Sequence, residues 1–493
     1  MKTVQDATAS EKPYSIYNIR EKWGIVIMAS IAGLFSPLTA NIYFPAIPTL
    51  SDEFHKSVEL INLTVTMYMV LQGISPMFWG TLADRWGRRP MFLGCLLVLA
   101  LACVGLALVP TNAYWLLMLL RCIQAAGSAS TIALGAGVIG DIATREERGG
   151  FFGLYALGPM VGPCIGPVIG GGLADGLGWR SIFWFLCIGS AVCFVVMLLF
   201  LPETLRTLVG DGSIKPKAIY RPLIPIIGRK YTEDSHVQKL AKKPFTNPLL
   251  IFFYPDVSLL LIFNATLYAV MYGVTTSIST LFSTTYPFLN ETDIGLCFLS
   301  LGGGMMFGTV IGGKSLDRDY RSIKRRLEQK ARDDPESKIR PEDVMKDENF
   351  PVEYARLRMT VFYSAIYVAT CVAYGWCLDR KVNLAGPLVL LVVIGYTIVI
   401  IMNSVQTLLV DLLPSQSSSV TACNNIVRCS FGAACVSVID LMIKALGVGW
   451  TYVLLAGLCV LVGPLLYVIM RMGPKWRGDR RMRAAAAAAA AKA

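Results

Sequence analysis

Two arginines, Arg121 and Arg428, stand inside windows of sequence that are otherwise apolar. A guanidinium surrounded by hydrocarbon costs several kcal/mol unless it lines a cavity or finds partners. What it does well is grip a carboxylate through two parallel N–H bonds. At comparable depth in these and other apolar windows fall Asn41, Tyr68, Gln72, Gln124, Asn264, Tyr268, Tyr272, Asn403, Gln406 and Asn425. These side chains can donate and accept hydrogen bonds to a polar cargo. Carboxylates are missing from the middle of the windows: Asp141, Asp256, Asp411 and Asp440 each lie near the end of an apolar run. A site for a lipophilic cation would be helped by a buried carboxylate. This set suits a small organic anion, such as a mono- or dicarboxylic acid. Any one of the neutral side chains alone reads more simply as an interhelical hydrogen bond, worth well under about 2 kcal/mol. About half are expected to face a cavity, on their depth. Arg121, two turns from the outer end of its run, can also be read as reaching backbone carbonyls or the interface.

The elements that must position these groups are membrane helices. The 493 residues are 54% hydrophobic and 16% charged, with a mean hydropathy of +0.56, which excludes a soluble globular or disordered chain. Apolar runs of about 20 residues, enough to cross a bilayer, recur about twelve times. Residues 1–22 are polar and lack a cleavable leader's short apolar core, so the first span is expected to be retained. Spans 1 to 6 occupy 23–201 and spans 7 to 12 occupy 256–470, separated by a basic, proline-broken segment, 202–255. A second charged stretch, 314–358, interrupts the latter half and is expected to be a cytoplasmic helix or a partly disordered segment, and 471–493 forms a tail. Net charge is +12. Only five basic residues (Lys56, Arg180, Arg380, Lys381, Lys444) fall in connections on the far side from the termini, and two, Arg121 and Arg428, within spans. That asymmetry places both termini in the cytoplasm and accounts for the basicity without nucleic acid. The thirteen cysteines sit almost entirely in apolar runs, and the two histidines, His55 and His236, in connections, so no metal site and no cofactor are expected.

Span 5 is unusual. Gly158, Gly162, Gly166 and Gly170 recur every four residues, and Pro159, Pro163 and Pro167 follow three of them. On a helix the glycines form one face without side chains, against which another backbone can lie closely. In water such a helix would be very poor. In a bilayer its backbone must stay bonded and its neighbours can support it. The plain reading is a packing helix; the sharper one is a flexible helix at the seam between two moving halves. After span 2 comes the turn Gly80-x-x-x-Asp84-Arg85-x-Gly87-Arg88-Arg89-Pro90, faintly echoed after span 8 by Gly313-x-x-x-Asp317-Arg318-x-x-Arg321. Asp84 beside a helix N-terminus would gain about 0.3–1 kcal/mol. The plain alternative is a set of topology-setting arginines with a solvated carboxylate.

Taken together these stretches resemble the major facilitator superfamily. More narrowly the chain is similar to the twelve-span drug:proton antiporters and to their fungal quinidine-resistance type. Gly80 to Arg89 matches the superfamily loop signature. Gly153-x8-Gly162-x3-Gly166-Pro167-x2-Gly170-Gly171 matches the antiporter signature of span 5. Leu117-x3-Arg121-x2-Gln124-Ala125 resembles the span 4 signature, with Ala125 where glycine is usual. Asp411-Leu-Leu-Pro and Asn424-Asn425-Ile-Val-Arg428 look like the quinidine-resistance type. The resemblance implies an all-α membrane protein with the major facilitator fold, twelve transmembrane helices in two six-helix bundles with cytoplasmic N- and C-termini. It also implies that Asp84, Arg88 and Asp141 latch the cytoplasmic side shut against the start of span 11.

The expected activity is proton-coupled export of a small organic anion by alternating access, with cationic or neutral drugs as the rival cargo the family name suggests. Asp141, Asp411 and Arg121 are the candidates for proton coupling, unless the substrate carries the proton itself. The expected partners are a small-molecule substrate, protons and the lipid bilayer, for a monomer in the plasma membrane or an organelle membrane. A transporter-like nutrient receptor holding partners on its long loops is the alternative from another class. An enzyme is disfavoured, since no nucleophile–base pair, metal spacing or phosphate loop stands out.

Overall fold

The computed structural model describes residues 15–144, 147–227, 248–333, 350–413 and 417–490. Twelve helices are long and apolar enough to cross a membrane. They are α1 (Ile19–Asn41), α2 (Val58–Trp86), α3 (Arg88–Leu108), α4 (Tyr114–Ile142, with a break at Ala129), α5 (Arg148–Leu177) and α6 (Arg180–Phe200) in the first half. The second half holds α7 (Pro255–Thr285), α8 (Glu291–Asp333), α9 (Val352–Asp379), α10 (Ala385–Leu412), α11 (Ser417–Leu446) and α12 (Val448–Ala490). Helix is the natural answer in hydrocarbon, where every backbone group must be bonded within its own segment. Large apolar side chains such as Ile27, Leu101, Val192, Phe362 and Leu461 remain exposed, as a lipid-facing surface requires. Twelve crossings return both chain ends to one face, here the terminal face; the other is the distal face.

Local signals set the helix ends. α1 stops at Asn41, and Pro45 and Pro48 stand near the starts of a 3-10 turn (Phe44–Ala46) and a short helix (Ile47–Glu53). Between α2 and α3, Gly87 takes φ +105°, and a Cβ there would also run into the Glu203 carboxylate. Only glycine fits. α5 runs unbroken through Pro159, Pro163 and Pro167.

The glycine row of α5 does meet a bare backbone, but in its own half. A Cβ on Gly158 would strike the Ser30 carbonyl oxygen and one on Gly170 that of Ile42. Gly162 lies against Pro37 and Leu38, and Gly166 against Ile42. All of these belong to α1 or the turn after it, so the row is a joint inside the first bundle and not the seam between halves. The seam uses another face of α5. There Gly171 meets the Glu291 carbonyl, Gly295 approaches the Pro167 carbonyl and Gly302 approaches Cys164, all contacts with α8. The second seam pairs α2 with α11. The period of the row predicts a flat face; it does not say which neighbour occupies it.

Three expected boundaries move. α8 continues into the charged stretch as far as Asp333, and residues 334–349 lie outside those described. α9 begins at Val352, ahead of the expected start at Met359. α12 passes Met470 and Pro474 and continues to Ala490, so most of the expected tail is helical. Its charges explain why: Arg480 makes two 2.9 Å bonds to the buried Asp256 carboxylate and lies over the Tyr254 ring. Arg477 reaches Glu353 at 3.4 Å and the Phe350 carbonyl at 3.0 Å. Of the segment 202–255, residues 228–247 lie outside those described. In the echo motif, the helix runs through 313–321, but the Gly313 and Asp317 side chains lie outside the described set.

Candidate functional site

The two halves touch on the distal side and separate toward the terminal side. At the distal end of the α2–α11 seam Lys444 pairs with Glu59, Asn62 donates to Asp440, and the Thr66 hydroxyl is 2.9 Å from that of Ser437. At mid-depth Asn425 donates to the Gln72 carbonyl at 3.1 Å, and Gly73 lies 3.2 Å from Cys429 for a Cβ placed on it. Phe44 stacks on Phe298, and Thr292 donates to Asp175 at 2.8 Å. The hydrogen bonds and ion pairs that join one described residue to another across the halves lie at or distal to the Gln72–Asn425 contact. Nearer the terminal face the seam is loose: nothing stands within 4 Å of a Cβ on Gly80 or Gly153. The space between the bundles therefore opens toward the terminal face.

The two arginines flank this space differently. Arg121, on α4, has no exposed surface. Its guanidinium lies between the Tyr43 and Tyr68 rings, 4.3 and 4.5 Å from their centroids. Nη1 donates to Gln124 Oε1 at 2.6 Å and weakly to the Thr39 carbonyl, while Nε and Nη2 have no partner. Tyr68 is fixed by hydroxyl contacts to Thr39 (2.6 Å) and Ser128 (2.8 Å), and Gln124 also donates to Cys103. Arg121 was expected in the cavity; in this conformation it is sealed behind Tyr68. Arg428, on α11, is partly exposed. Its guanidinium lies 4.5 Å over the Tyr268 ring, Nη2 donates to Asn425 Oδ1 at 2.8 Å, and Nε has no partner. Neither arginine meets a carboxylate among the described residues. Two stacked rings can return about 2 kcal/mol or more each to a desolvated cation, which leaves the unpaired donors uncompensated.

Of the other expected site residues, Gln72, Asn403, Gln406 and Asn425 are partly exposed. Asn264, Tyr268 and Tyr272 are buried, the two ring centroids 4.6 Å apart with the planes tilted by 39°. Asn264 donates to Asn424 (2.9 Å), Asn424 to Gln406 (2.7 Å), and Gln406 to Thr421 (3.0 Å), a chain from buried core to open space. Asn424 is a member the sequence reading assigned no contact, although it stands beside Asn425. Asn41 donates to the Pro37 carbonyl of its own helix. It is not brought to the open space.

The loop motif forms half of what was expected. Arg88 bonds Asp84 at 2.8 Å and Asp141 at 3.1 Å, so the charge cluster exists, but it lies wholly in the first half. The Asp84 side chain is 64% exposed, and among the described residues no hydrogen bond or ion pair joins it to α11. Arg85 is exposed. The expected partner of the latch is the start of α11, where residues 414–416 and the side chains of Ser417 and Ser418 lie outside those described. The carboxylate that caps a helix N-terminus is instead Glu203, just after α6. It accepts backbone N–H bonds from Arg88, Arg89, Thr204 and Leu205. That placement satisfies orphan donors at the start of α3 and favours the anion there. The only sequence signal was a carboxylate between Pro202 and Thr204. Asp411 is paired with Arg356 at 3.0 Å. Asn290, which with Thr292 has the Asn-x-Thr pattern of a glycosylation acceptor, lies on the distal side and is engaged in capping: its side chain accepts the Asp293 N–H at 2.7 Å.

Two six-helix bundles with a central polar site reachable from one face define a membrane carrier of the alternating-access class. The Major Facilitator Superfamily model matches residues 29–437, and the chain belongs to that family of transporters. It is 39% identical over 97% of its length to Citrate exporter 1 of Aspergillus niger, covering 91% of that protein. It is 35% identical over 95% of its length to the MFS antiporter QDR1 of Candida albicans, covering 92% of it. The fold superposes on a D-xylose-proton symporter crystal structure with a TM-score of 0.64 at 13% identity, covering 90% of this chain and 96% of that one. The human organic anion transporter MFSD10 (TETRAN) gives a TM-score of 0.55 at 15% identity, over 91% of this chain and all of that one.

Proposed function

We propose that this transporter exports a small organic anion carrying one or more carboxylates, coupled to protons, as a monomer in the plasma membrane with its terminal face in the cytoplasm. The observation that carries the reading is the pair of guanidiniums, one per half, which meet no carboxylate among the described residues. At an effective dielectric near 20, an anion about 8 Å from one of them gains about 2 kcal/mol, and a cation loses as much. A difference of about 4 kcal/mol is roughly a thousandfold in binding. The exposed approach is through Arg428, Asn425, Gln406, Asn403 and Gln72, with Arg121 as a fixed positive charge behind Tyr68. The likeness to a citrate exporter supports the same cargo class. The sequence resemblance to quinidine-resistance-type drug:proton antiporters supports cationic or neutral drugs instead, and the tilted Tyr268–Tyr272 pair beside Arg428 is the observation in its favour. The candidate proton carriers are Asp141, Asp411 and Arg121, of which Asp141 and Asp411 are each paired with an arginine.

Uptake into inverted vesicles decides between the cargoes. Radiolabelled di- and tricarboxylates should accumulate in response to a proton gradient, and quinidine should not. Strong quinidine uptake with no carboxylate uptake would overturn the anion reading.

A further inference from the structure

Among the carboxylates on the two helices of the α2–α11 seam, Asp440 stands apart: Glu59 and Asp84 each hold a cation. So do Asp141, Asp256 and Asp411, but among the described residues Asp440 bonds no cation. It is buried on α11, one and a half turns before the helix ends, and its partner is an amide from the other half: Asn62 on α2 donates to it. The amide has two ends. Asn62 Nδ2 faces the carboxylate, while Asn62 Oδ1 is buried and accepts nothing. A carboxylate can only accept, so while ionised it cannot satisfy that oxygen. A carboxylic acid can do both, accepting from Nδ2 and donating its own O–H to Oδ1. The closed distal seam is therefore complementary to the protonated form of Asp440.

We propose that Asp440 is a proton-binding residue of the transport cycle, taking a proton from water on the distal side and thereby closing the seam against Asn62. The step moves one proton from water to a carboxylate oxygen, and the new O–H donates across the seam. The surroundings fit. Glu59, one turn from Asn62 on α2, and Lys444, one turn on along α11, neutralise one another, so neither supplies Asp440 with a counterion. Tyr452 of α12 keeps its hydroxyl on Ser277 of α7 at 2.6 Å, and Ser437 is held by Thr66. When the halves part on the distal side, Asp440 meets water, and rehydration favours the ionised form. Since the closed state binds the proton more tightly, acid favours closure and rising pH favours opening.

The inference rests on the proton-coupled reading, but its test needs no substrate. In a variant without the partly exposed Cys122, Cys187 and Cys377, spin labels at Lys56→Cys and Lys381→Cys report the distal distance between halves. In reconstituted protein the short distance should dominate at low pH and give way to a longer one as pH rises. Asp440→Asn, fixed in the neutral form, should stay short throughout. Asn62→Leu keeps the carboxylate but loses the amide, and should move the midpoint down by roughly one pH unit. A distribution independent of pH in the unaltered pair would overturn the proposal, as would Asp440→Asn titrating like its parent. If the distances respond as stated while carboxylate transport is absent, the latch stands and only the cargo reading falls.

Discussion

Arg121 and Arg428 are two versions of one device, a guanidinium laid over a tyrosine ring beside an amide. Arg121 has Tyr68, Tyr43 and Gln124; Arg428 has Tyr268 and Asn425. The first is closed off within one bundle, whereas the second stands at the seam, part open to the space a cargo enters. The difference teaches that charge and contact can be divided between the halves. One arginine sets the potential of the site from behind a wall, and the other offers donors to whatever arrives.

The largest effect should come from Arg121→Met. Removing a buried cation with unpaired donors should leave the fold as stable or more so, by up to a few kcal/mol. Anion transport should nevertheless fall about a hundredfold or more. A thermal melt read beside an uptake assay checks this, and equal loss of both would mean that Arg121 is merely structural. Next is Arg428→Ala, which takes away a direct donor. Its mark should be weaker binding, with KM up roughly ten- to thirtyfold and turnover less affected. A third measure addresses the wall itself. Phenylglyoxal should modify Arg428 well before Arg121, by peptide mapping. Tyr68→Ala should narrow that difference, while Tyr68→Phe, which keeps the ring and loses only hydroxyl bonds of about 1 kcal/mol each, should preserve it. The smallest effect belongs to a pair far from both arginines. The Lys22 ammonium, 2.7 Å from Glu147, holds that carboxyl below its ordinary range. Its contribution to stability is thus present above the ordinary carboxylate range and is lost as pH falls through the lowered value. With Glu147 about a third exposed, Glu147→Gln should cost about half a kcal/mol or less in a melt at neutral pH.

Hydropathy made the helices legible, because hydrocarbon admits few alternatives for a long apolar run. The glycine row and the α2–α3 turn were legible for a similar reason: bare faces and left-handed turns leave a residue type behind. What the row packs against was not, since a repeat describes one surface and says nothing of its partner. Asp440 looked like a residue near a span end because hydropathy windows blur boundaries by a turn or two; its pairing with Asn62 spans 378 positions and leaves no local trace. Glu203 read as loop, since a carboxylate just past a helix is ordinary there. The helical course of α12 beyond Met470 was hidden by its arginines, which suggest solvent until their acidic partners on α7 and α9 are known. The polar residues were found by depth, but depth does not separate Gln406, which borders the open space, from Asn41, turned back on its own helix.

That clasp of α12 onto α7 and α9 has a practical outcome. Because Arg480 and Arg477 fasten the last turns to the rest of the second bundle, whatever is attached beyond them is carried rigidly, like a needle on a dial. A dye near residue 485 and another on the opposite bundle would turn each cycle into a change in energy transfer.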